Sequence, residues 1–327
     1  MLSGSSFSLV DEMLEAPGVL RRFDRNAVAG WAKAIASKGR LMFTGEGSSR
    51  IFPAKNAIDL AMRSGTTLRI CTEGARQAAE YDLKEFIVVA TSNSGRTREL
   101  IGLFEKLAAE KVPRLGLTAT EGSRLTELVD DCRVLSCGVE KAVASSKTVI
   151  EQALFCQSLL GGDEWKNQAR AAGYGEDVLG MTVAPEITGF IQSAPIVYFS
   201  GRNNGVAEEL TLKTNEIARK KSAYLEGTYV LHGIEEVMRQ GEALVLIEPF
   251  REEIEKYKTL LKEGAGINVV AIASFDTPFP TIKIPALDGF NGYLQLMAGW
   301  NVLVAAGIAA GVNLDKPERA RKVGNAV

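Results

Sequence analysis

The sequence predicts an α/β protein with two similar halves, each containing a mostly parallel β-sheet. Short runs rich in β-branched and aromatic residues alternate with longer segments whose apolar residues recur at helical spacing. The halves open alike, because LMFTGEGSS (41–49) and IVYFSGRNNG (196–205) both place a polar turn between a strand and a helix. Such alternation is typical of parallel sheets that have helices on their faces.

Five strands are expected in the first half, and helical patterns such as AKNAIDLAM and TRELIGLFEKLAAE separate them. These strands are RLMFTG (40–45), TTLRIC (66–71), EFIVVATS (85–92), RLGLTAT (114–120) and CRVLSC (132–137). Residues before about Asp24 are predicted to form a helix that could pack on either half.

The second half repeats this rhythm, with a helical pattern at VAEELTLKTNEIAR (206–219). Its predicted strands are PIVYFSGR (195–202), EALVLIE (242–248), INVVAIAS (267–274) and TIKIP (281–285). A polar, glycine-containing stretch at 161–178 separates the halves. We therefore expect domains at 1–165 and 166–327.

The amino-acid composition argues against several classes of function. The 327 residues include 38 Lys plus Arg and 40 Asp plus Glu, a formal net charge of −2 that argues against a nucleic-acid binder. No uninterrupted apolar run reaches the ~18 residues of a membrane span, and the N-terminus resembles no secretory signal, so we expect a cytoplasmic protein without membrane partners. The four cysteines form no CxxC pair, and with one histidine in the chain we expect no metal site.

Two polar loops follow predicted strands of the first half. GEGSSR (45–50) combines two glycines with two serines, and it suits either an anion at a helix N-terminus or a simple helix cap by Ser48 or Ser49. It lacks the third glycine of the dinucleotide pattern, so we expect no cofactor. TSNSGRT (91–97) places four hydroxyls within seven residues, more than a cap needs, which indicates a nest of neutral donors for a phosphate.

A third hydroxyl-rich loop, AVASSKT (142–148), could supply another wall for the same small polar ligand. Ligands of open parallel sheets bind outside the carboxyl ends of the strands, where these loops fall. The equivalent turn of the second half, PFREE, has no hydroxyl cluster, so one site per chain is the simplest expectation.

Three residues of the second half could carry acid–base chemistry. Lys213 and Glu216 stand three apart on one face of a predicted helix, and His232 is the only histidine. The alternatives are that Lys213 and Glu216 form a surface ion pair worth about 0.3–0.5 kcal/mol and that His232 is structural. Histidine titrates near neutral pH, and a desolvated glutamate can take a proton from a carbon acid.

These signals occur in the order seen in the double-SIS (sugar isomerase) family, which the chain resembles. It is most similar to the isomerase half of glucosamine-6-phosphate synthase (glutamine–fructose-6-phosphate aminotransferase) and to stand-alone glucosamine-6-phosphate deaminases and phosphosugar isomerases. The matching segments are GSS (47–49), SNSGRT (92–97), VASSK (143–147), LKTNEI (212–217), His232-Gly233 and DKPERARKV (315–323). The resemblance implies two three-layer α/β/α sandwiches of the flavodoxin-like type, each with a mostly parallel five-stranded sheet.

The resemblance also implies roles for individual residues. Glu216 would move a proton between C1 and C2 of an open-chain sugar, His232 would assist ring opening, Lys213 would stabilise the enediolate, and Lys322 would approach from the tail. The implied substrate-binding residues are Gly47, Ser48, Ser49, Ser92, Asn93, Ser94, Thr97, Val143 and Ser145. A homodimer whose histidine loop crosses the interface is implied as well.

The chain departs from the family around the sugar end of the site. Thr228-Tyr229 replaces the usual Gly-Glu pair, Arg321 replaces a small residue, and no glutamine-hydrolysing domain is expected. The function expected is therefore an aldose–ketose isomerase acting on an anionic hexose. The alternatives are a glucosamine-6-phosphate deaminase, a phosphosugar-amine deglycase, an isomerase of a sulfonated sugar and a non-catalytic sugar-phosphate sensor.

Overall fold

A computed structural model describes residues 7–162, 164–319 and 321. Its ten strands are β1 Arg40–Gly45, β2 Arg69–Gly74, β3 Ile87–Ser92, β4 Arg114–Thr118, β5 Asp131–Val134, β6 Ile196–Gly201, β7 Lys221–Glu226, β8 Ala243–Ile247, β9 Asn268–Ala273 and β10 Thr281–Lys283. They form two five-stranded sheets, with orders β2-β1-β3-β4-β5 and β10-β9-β8-β6-β7. Neighbouring strands pair in parallel throughout both sheets.

Read from the other edge, the second sheet repeats the order of the first, so the predicted repeat is confirmed. All nine predicted strands are present, although β2 begins at Arg69 rather than at Thr66. β7 was not among the predicted strands. Its sequence is largely polar and Leu225 is its one buried residue, because the strand lies at the edge of its sheet.

Twelve helices connect and flank the strands. They are α1 Ser8–Arg22, α2 Ala29–Lys38, α3 Ile51–Arg63, α4 Ala75–Ala78, α5 Arg98–Ala109, α6 Arg124–Leu128, α7 Lys147–Ser158, α8 Gln168–Gly180, α9 Pro185–Ser193, α10 Val206–Lys213, α11 Ile254–Lys256 and α12 Asn291–Ala309. Wider π-type turns continue α10 through Thr214–Ala218 and α11 through Tyr257–Gly264. The predicted N-terminal helix α1 packs on both halves, against α7 and α8.

One hydrophobic core joins the two halves. It includes Leu41 and Phe43 of β1 together with Val197 and Phe199 of β6. At the junction, the ring of Phe52 in α3 meets the ring of Tyr293 in α12 edge-on, with centroids 5.2 Å apart. The halves therefore share apolar surface, and each contributes to the burial of the other.

Helix α12 is the most apolar helix of the fold. By length and composition it could span a membrane, with a mean hydropathy of 1.3, but 83% of the tested window is buried inside the fold. It packs on α8, α9 and α10. Burial of this kind is typical of the core helix of a globular protein.

The strand order fixes where a ligand can approach the first sheet. The chain moves outward from β1 to β2 and then returns to β3 on the other side, so the loops after β1 and β3 diverge. Such a topological switch point leaves a crevice at the carboxyl ends of the two strands.

Candidate active site

A cleft of about 640 Å³ occupies the switch point of the first sheet. All nine residues predicted to bind substrate line it, together with Glu216. Thr91, counted among the four hydroxyls of TSNSGRT, also lines it, and sequence reasoning did not pick out five further lining residues, which are Glu46, Arg96, Thr120, Val139 and Leu212. Loops from three places in the first half and a helix end of the second half thus meet around one space.

The first loop is held against the second by close backbone contact. A Cβ atom on Gly45 would lie 2.6 Å from the Thr91 carbonyl oxygen, so only glycine lets the two loops approach this closely. The Thr91 hydroxyl donates a hydrogen bond to the Ser49 carbonyl. Helix α3 begins after Arg50, and neither Ser48 nor Ser49 caps it, so the simple helix-cap interpretation of this loop is wrong.

The second loop, TSNSGRT, turns tightly and brings two of its hydroxyl groups together. Gly95 has φ +61°, and its backbone N–H donates to the Ser92 hydroxyl oxygen at 3.1 Å. The Ser92 and Thr97 hydroxyl oxygens are 3.3 Å apart. Thr97 is the N-cap residue of α5, and its side chain makes no capping hydrogen bond. The Thr97 side chain therefore does not occupy the N-terminus of α5, and a helix N-terminus favours an anion.

Asn93 adds an acceptor to this loop. Its backbone carbonyl accepts hydrogen bonds from the amide of Ala119 and from the hydroxyls of Thr118 and Thr120. Its side-chain Oδ1 is buried and has no hydrogen-bond partner within the described ranges. A buried acceptor without a partner favours a ligand or a water that donates to it.

The third loop is fixed by buried carboxylates. Glu140 accepts hydrogen bonds from the Ser146 amide at 2.6 Å and from the Thr148 hydroxyl at 2.6 Å, which occupies the N-terminus of α7. Glu12 of α1 accepts from the Ala142 amide at 3.2 Å. Val143 and Ser145 reach the cleft as predicted, but α7 itself offers no free end to a ligand, because Glu140 already fills it.

The second half contributes a buried charge cluster. Lys213 Nζ lies 2.9 Å from Glu216 Oε2, 2.7 Å from Ser48 Oγ and 3.4 Å from Glu209 Oε1. The side chain of Lys213 is 1% exposed and that of Glu209 is fully buried, whereas Glu216 is 24% exposed and faces the cleft. The alternative interpretation of Lys213 and Glu216 as a surface ion pair is therefore wrong.

Local backbone geometry places Glu216 at the cleft. The α-helix α10 ends at Lys213, and Glu216 lies in the π-type turn that follows and ends at Arg219, which has φ +51°. Single π-type turns within helices often occur at functional sites. Glu209, Lys213 and Glu216 follow an i, i+4, i+7 spacing, so helical periodicity was a signal that could have identified Glu209.

Burial and charge act in opposite directions on this cluster. Burial raises the pKa of the Glu209 carboxyl, and attraction to Lys213 offsets only part of that rise. Burial lowers the pKa of Lys213, but attraction to Glu216 and then to Glu209 outweighs it, so the pKa of Lys213 lies above its usual value. Lys213 therefore remains a cation at neutral pH.

The other predicted catalytic residues differ in where they stand: Lys213 lies behind the cleft and is not part of its lining, and His232 is exposed at a distance from it. His232 is exposed in the turn after β7, where Nε2 lies 3.5 Å from the Thr228 hydroxyl oxygen. It is absent from the described residues that line the cleft. Lys322 lies outside the described residues. The roles implied for these two residues stay predictions.

Two parallel five-stranded sheets with one strand order, joined by a shared core, match the fold of SIS-type domains. The chain is 24% identical to glutamine–fructose-6-phosphate aminotransferase (isomerizing) of Aeropyrum pernix, over 95% of this chain and 53% of that protein. The predicted resemblance is thereby confirmed. No family model matches the chain.

Solved structures share the fold over nearly the whole chain. Tagatose-6-phosphate ketose/aldose isomerase from Escherichia coli superposes with a TM-score of 0.81 at 16% identity, covering 97% of both chains. Glucosamine-6-phosphate deaminase from Thermotoga maritima gives a TM-score of 0.73 at 19% identity, covering 97% of this chain and 98% of that one. The chain spans between 37% and 53% of the length of the first curated relatives that it matches.

Proposed function

We propose that the protein is an aldose–ketose isomerase acting on a phosphorylated hexose through an enediol intermediate. The observation that carries this proposal is that the Glu216 carboxylate lies in the same cleft as the hydroxyl nest of TSNSGRT, while the other carboxylate of the lining, Glu46, accepts a hydrogen bond from the Ala75 amide. The nest would anchor an anionic group, and the carboxylate would act on the other end of the ligand. Relatives named as isomerising aminotransferases and sugar-phosphate isomerases support the same general chemistry.

The anchor would use neutral donors. The hydroxyls of Ser92, Ser94 and Thr97 and the first amides of α5 would donate to phosphate oxygens, and the N-terminal end of the helix dipole would favour the negative charge. Arg96 also lines the cleft and forms no ion pair with another described residue, so its guanidinium is available to a charged ligand. Ser48, Ser49 and Gly47 would close the opposite wall.

Proton transfer would take place at Glu216. Its carboxylate would remove the proton from C2 of the open-chain aldose, leaving a cis-enediolate, and would return that proton to C1, while the hydroxyl proton on the C2 oxygen passes to the C1 oxygen to give the ketose. Hydrogen bonds to the enediolate oxygens would stabilise the negative charge that develops there. His232 would assist ring opening, and Lys322 would approach from the tail, as the family resemblance implies.

Lys213 would act on this step from behind the cleft. A lysine ammonium has three donors, and here they face Ser48, Glu209 and Glu216. In this arrangement the cation orients the Glu216 carboxylate, and it reaches the enediolate only if one of these contacts opens. We therefore propose direct stabilisation of the enediolate by Lys213 only for a state in which one of these three contacts is open.

The proposed assembly completes the site. We propose two three-layer α/β/α domains, at 1–165 and 166–327, in a cytoplasmic homodimer. His232 is exposed, which supports the proposal that its turn reaches the cleft of the partner subunit. One dimer would then hold two sites, each built from both copies.

A panel of substrates tests the proposal. The protein would be incubated with fructose 6-phosphate, tagatose 6-phosphate, glucosamine 6-phosphate and a 6-sulfonated hexose, and NMR would follow isomer formation while ammonia is assayed. We expect ketose–aldose interconversion of a phosphorylated hexose without ammonia. Ammonia release from glucosamine 6-phosphate would indicate the deaminase, turnover of the sulfonate alone would indicate a sulfosugar isomerase, and binding without turnover would indicate a sensor.

A further inference from the structure

A second cavity lies at the switch point of the second sheet. It has a volume of about 250 Å³ and opens at the carboxyl ends of β6 and β8. Its walls come from the loops after these strands, from the start of α12 and from α3 of the first half. The cavity therefore occupies the place in the second half that the candidate active site occupies in the first, which is where ligands of such sheets bind.

Two buried amide side chains without partners line this cavity. Asn56 is 3% exposed and Gln295 is 4% exposed. Asn56 Nδ2 is buried and has no hydrogen-bond partner among the described residues. The Gln295 amide makes no hydrogen bond to them either, but its polar atoms, unlike Asn56 Nδ2, are not fully enclosed. A buried donor without a partner lowers the stability of the folded state, so Asn56 Nδ2 favours a group in the cavity that accepts from it, and the Gln295 amide lines the same space.

Another buried amide, on the same helix α12 as Gln295, provides a contrast. Asn301 is also 3% exposed, and its Nδ2 donates to the carbonyl oxygens of Val178 at 3.2 Å and Met181 at 2.8 Å. Asn301 therefore serves the fold, as buried polar groups usually do. Gln295 has no such role within the described structure.

The walls of the cavity are held in place by specific contacts. A Cβ atom on Gly292 would lie 2.5 Å from Asn56 Oδ1, so glycine is needed for this approach. The guanidinium of Arg202 lies 4.3 Å from the centre of the Phe250 ring and donates to the carbonyl of Glu248. Glu248 itself has φ +45°, a conformation that non-glycine residues rarely adopt. These contacts define a built site rather than a gap in packing.

The chemistry of the lining favours a ligand with hydroxyl groups. Amides both donate and accept, and the charged side chains are mixed, with Asp59, Glu248 and Asp288 against Arg63 and Arg202. The lining lacks the cluster of hydroxyls that forms the nest in the first half. A hydroxyl group also donates and accepts, so a neutral polyol matches this set better than a phosphate does. The volume suits a single six-carbon molecule.

We propose that this cavity is a second binding site, for a neutral polyol or monosaccharide, bonded by Asn56 and Gln295. The site goes beyond the proposed isomerase activity and does not depend on it. It also replaces the simplest expectation from the sequence, one site per chain.

The first experiment measures binding of D-glucitol to the full-length chain by saturation-transfer NMR. We expect a saturable signal for the wild type and at least a tenfold weaker one for Gln295→Leu. Ser94→Trp, which fills the candidate active site, should leave the signal unchanged. No saturable signal for the wild type, or a signal lost in Ser94→Trp but kept in Gln295→Leu, would overturn the proposal.

Thermal unfolding provides the second measurement. Without ligand, Gln295→Leu should raise the Tm, because leucine has similar volume and no amide to satisfy, while the matched variant Asn301→Leu should lower it. Asn56→Leu is the second cavity variant, and it should raise the Tm and weaken glucitol binding as Gln295→Leu does. If both cavity variants lower the Tm as Asn301→Leu does, the amides serve the fold and the proposal is wrong.

Discussion

At the scale of single residues, the site depends on one buried cation. Lys213 lies between Glu209 and Glu216, and Ser48 takes its third contact. A buried charge is stable only when partners surround it, so these contacts fix the positions of the two carboxylates. Of the two carboxylates only Glu216 lines the cleft, which supports the proposed chemical role for Glu216 and a positioning role for Glu209.

Glu209 should make stability depend on pH. Its folded-state pKa is raised, mainly by burial, so the folded state prefers the protonated carboxyl more than the unfolded state does. The stability that this preference provides is complete below the unfolded pKa of 4.5 and is lost as pH rises through the folded pKa. Relative to Glu209→Gln, the wild type should therefore lose stability as pH rises above 4.5.

Urea unfolding at several pH values from about 4.5 to 7 measures this difference. The difference in unfolding free energy between the wild type and Glu209→Gln should change with pH, in favour of the variant as pH rises. A pH-independent difference for Glu209→Gln would contradict the assigned pKa direction.

At the scale of elements, the nest depends on how one loop enters α5. Gly95 has φ +61°, and a Cβ atom there would overlap the Ser123 hydroxyl. Gly95→Ala should therefore displace TSNSGRT and weaken binding of a phosphorylated sugar by at least about tenfold, a loss of about 1.4 kcal/mol. Isothermal titration calorimetry measures the affinity.

Gly122→Ala is the control for backbone strain alone. Gly122 has a similar φ of +63°, but an added Cβ would meet nothing within 4 Å. This variant should lose about 1–2 kcal/mol of stability and keep its ligand affinity. Equal losses of affinity in both variants would argue against a nest shaped by Gly95.

The elements also show what could be predicted from sequence. Hydrophobic patterning located the six central strands, because central strands of parallel sheets are apolar runs, and it also located the edge strands β2, β5 and β10. It did not locate β7, whose edge position leaves mostly polar residues in the strand. The loops of the cleft were recognisable by composition, but the anchors Glu12 and Glu140 were not. Glu12 is 130 residues from the Ala142 amide that it accepts from, and no local pattern encodes such a contact.

At the scale of the whole molecule, two copies of one sheet topology have become unequal. The first half keeps the hydroxyl nest, and the second half supplies the carboxylate, with α1 and α12 packed across both. Neither half has the complete cleft by itself. The shared core therefore holds the anchor and the base at a fixed separation.

A mixing experiment tests whether sites are shared between copies. If His232 serves the cleft of the partner subunit, Glu216→Gln and His232→Ala homodimers should each be impaired. Dimers that combine the two variants would regain one intact site of two. Random mixing after mild denaturation should thus restore about one quarter of wild-type activity. No recovery, with hybrid dimers verified by native mass spectrometry, would mean that Glu216 and His232 act within one chain.

The role of Glu216 is the central claim. The most direct measurement is incorporation of solvent deuterium at C1 or C2 of the sugar phosphate that turns over, followed by NMR in D2O. Glu216→Gln should slow this exchange by about 10²–10⁴-fold while ligand binding remains measurable, because the amide retains the shape but cannot accept the proton. Glu208→Gln on the same helix should exchange at the wild-type rate. Exchange at the wild-type rate in Glu216→Gln would contradict the proposed mechanism.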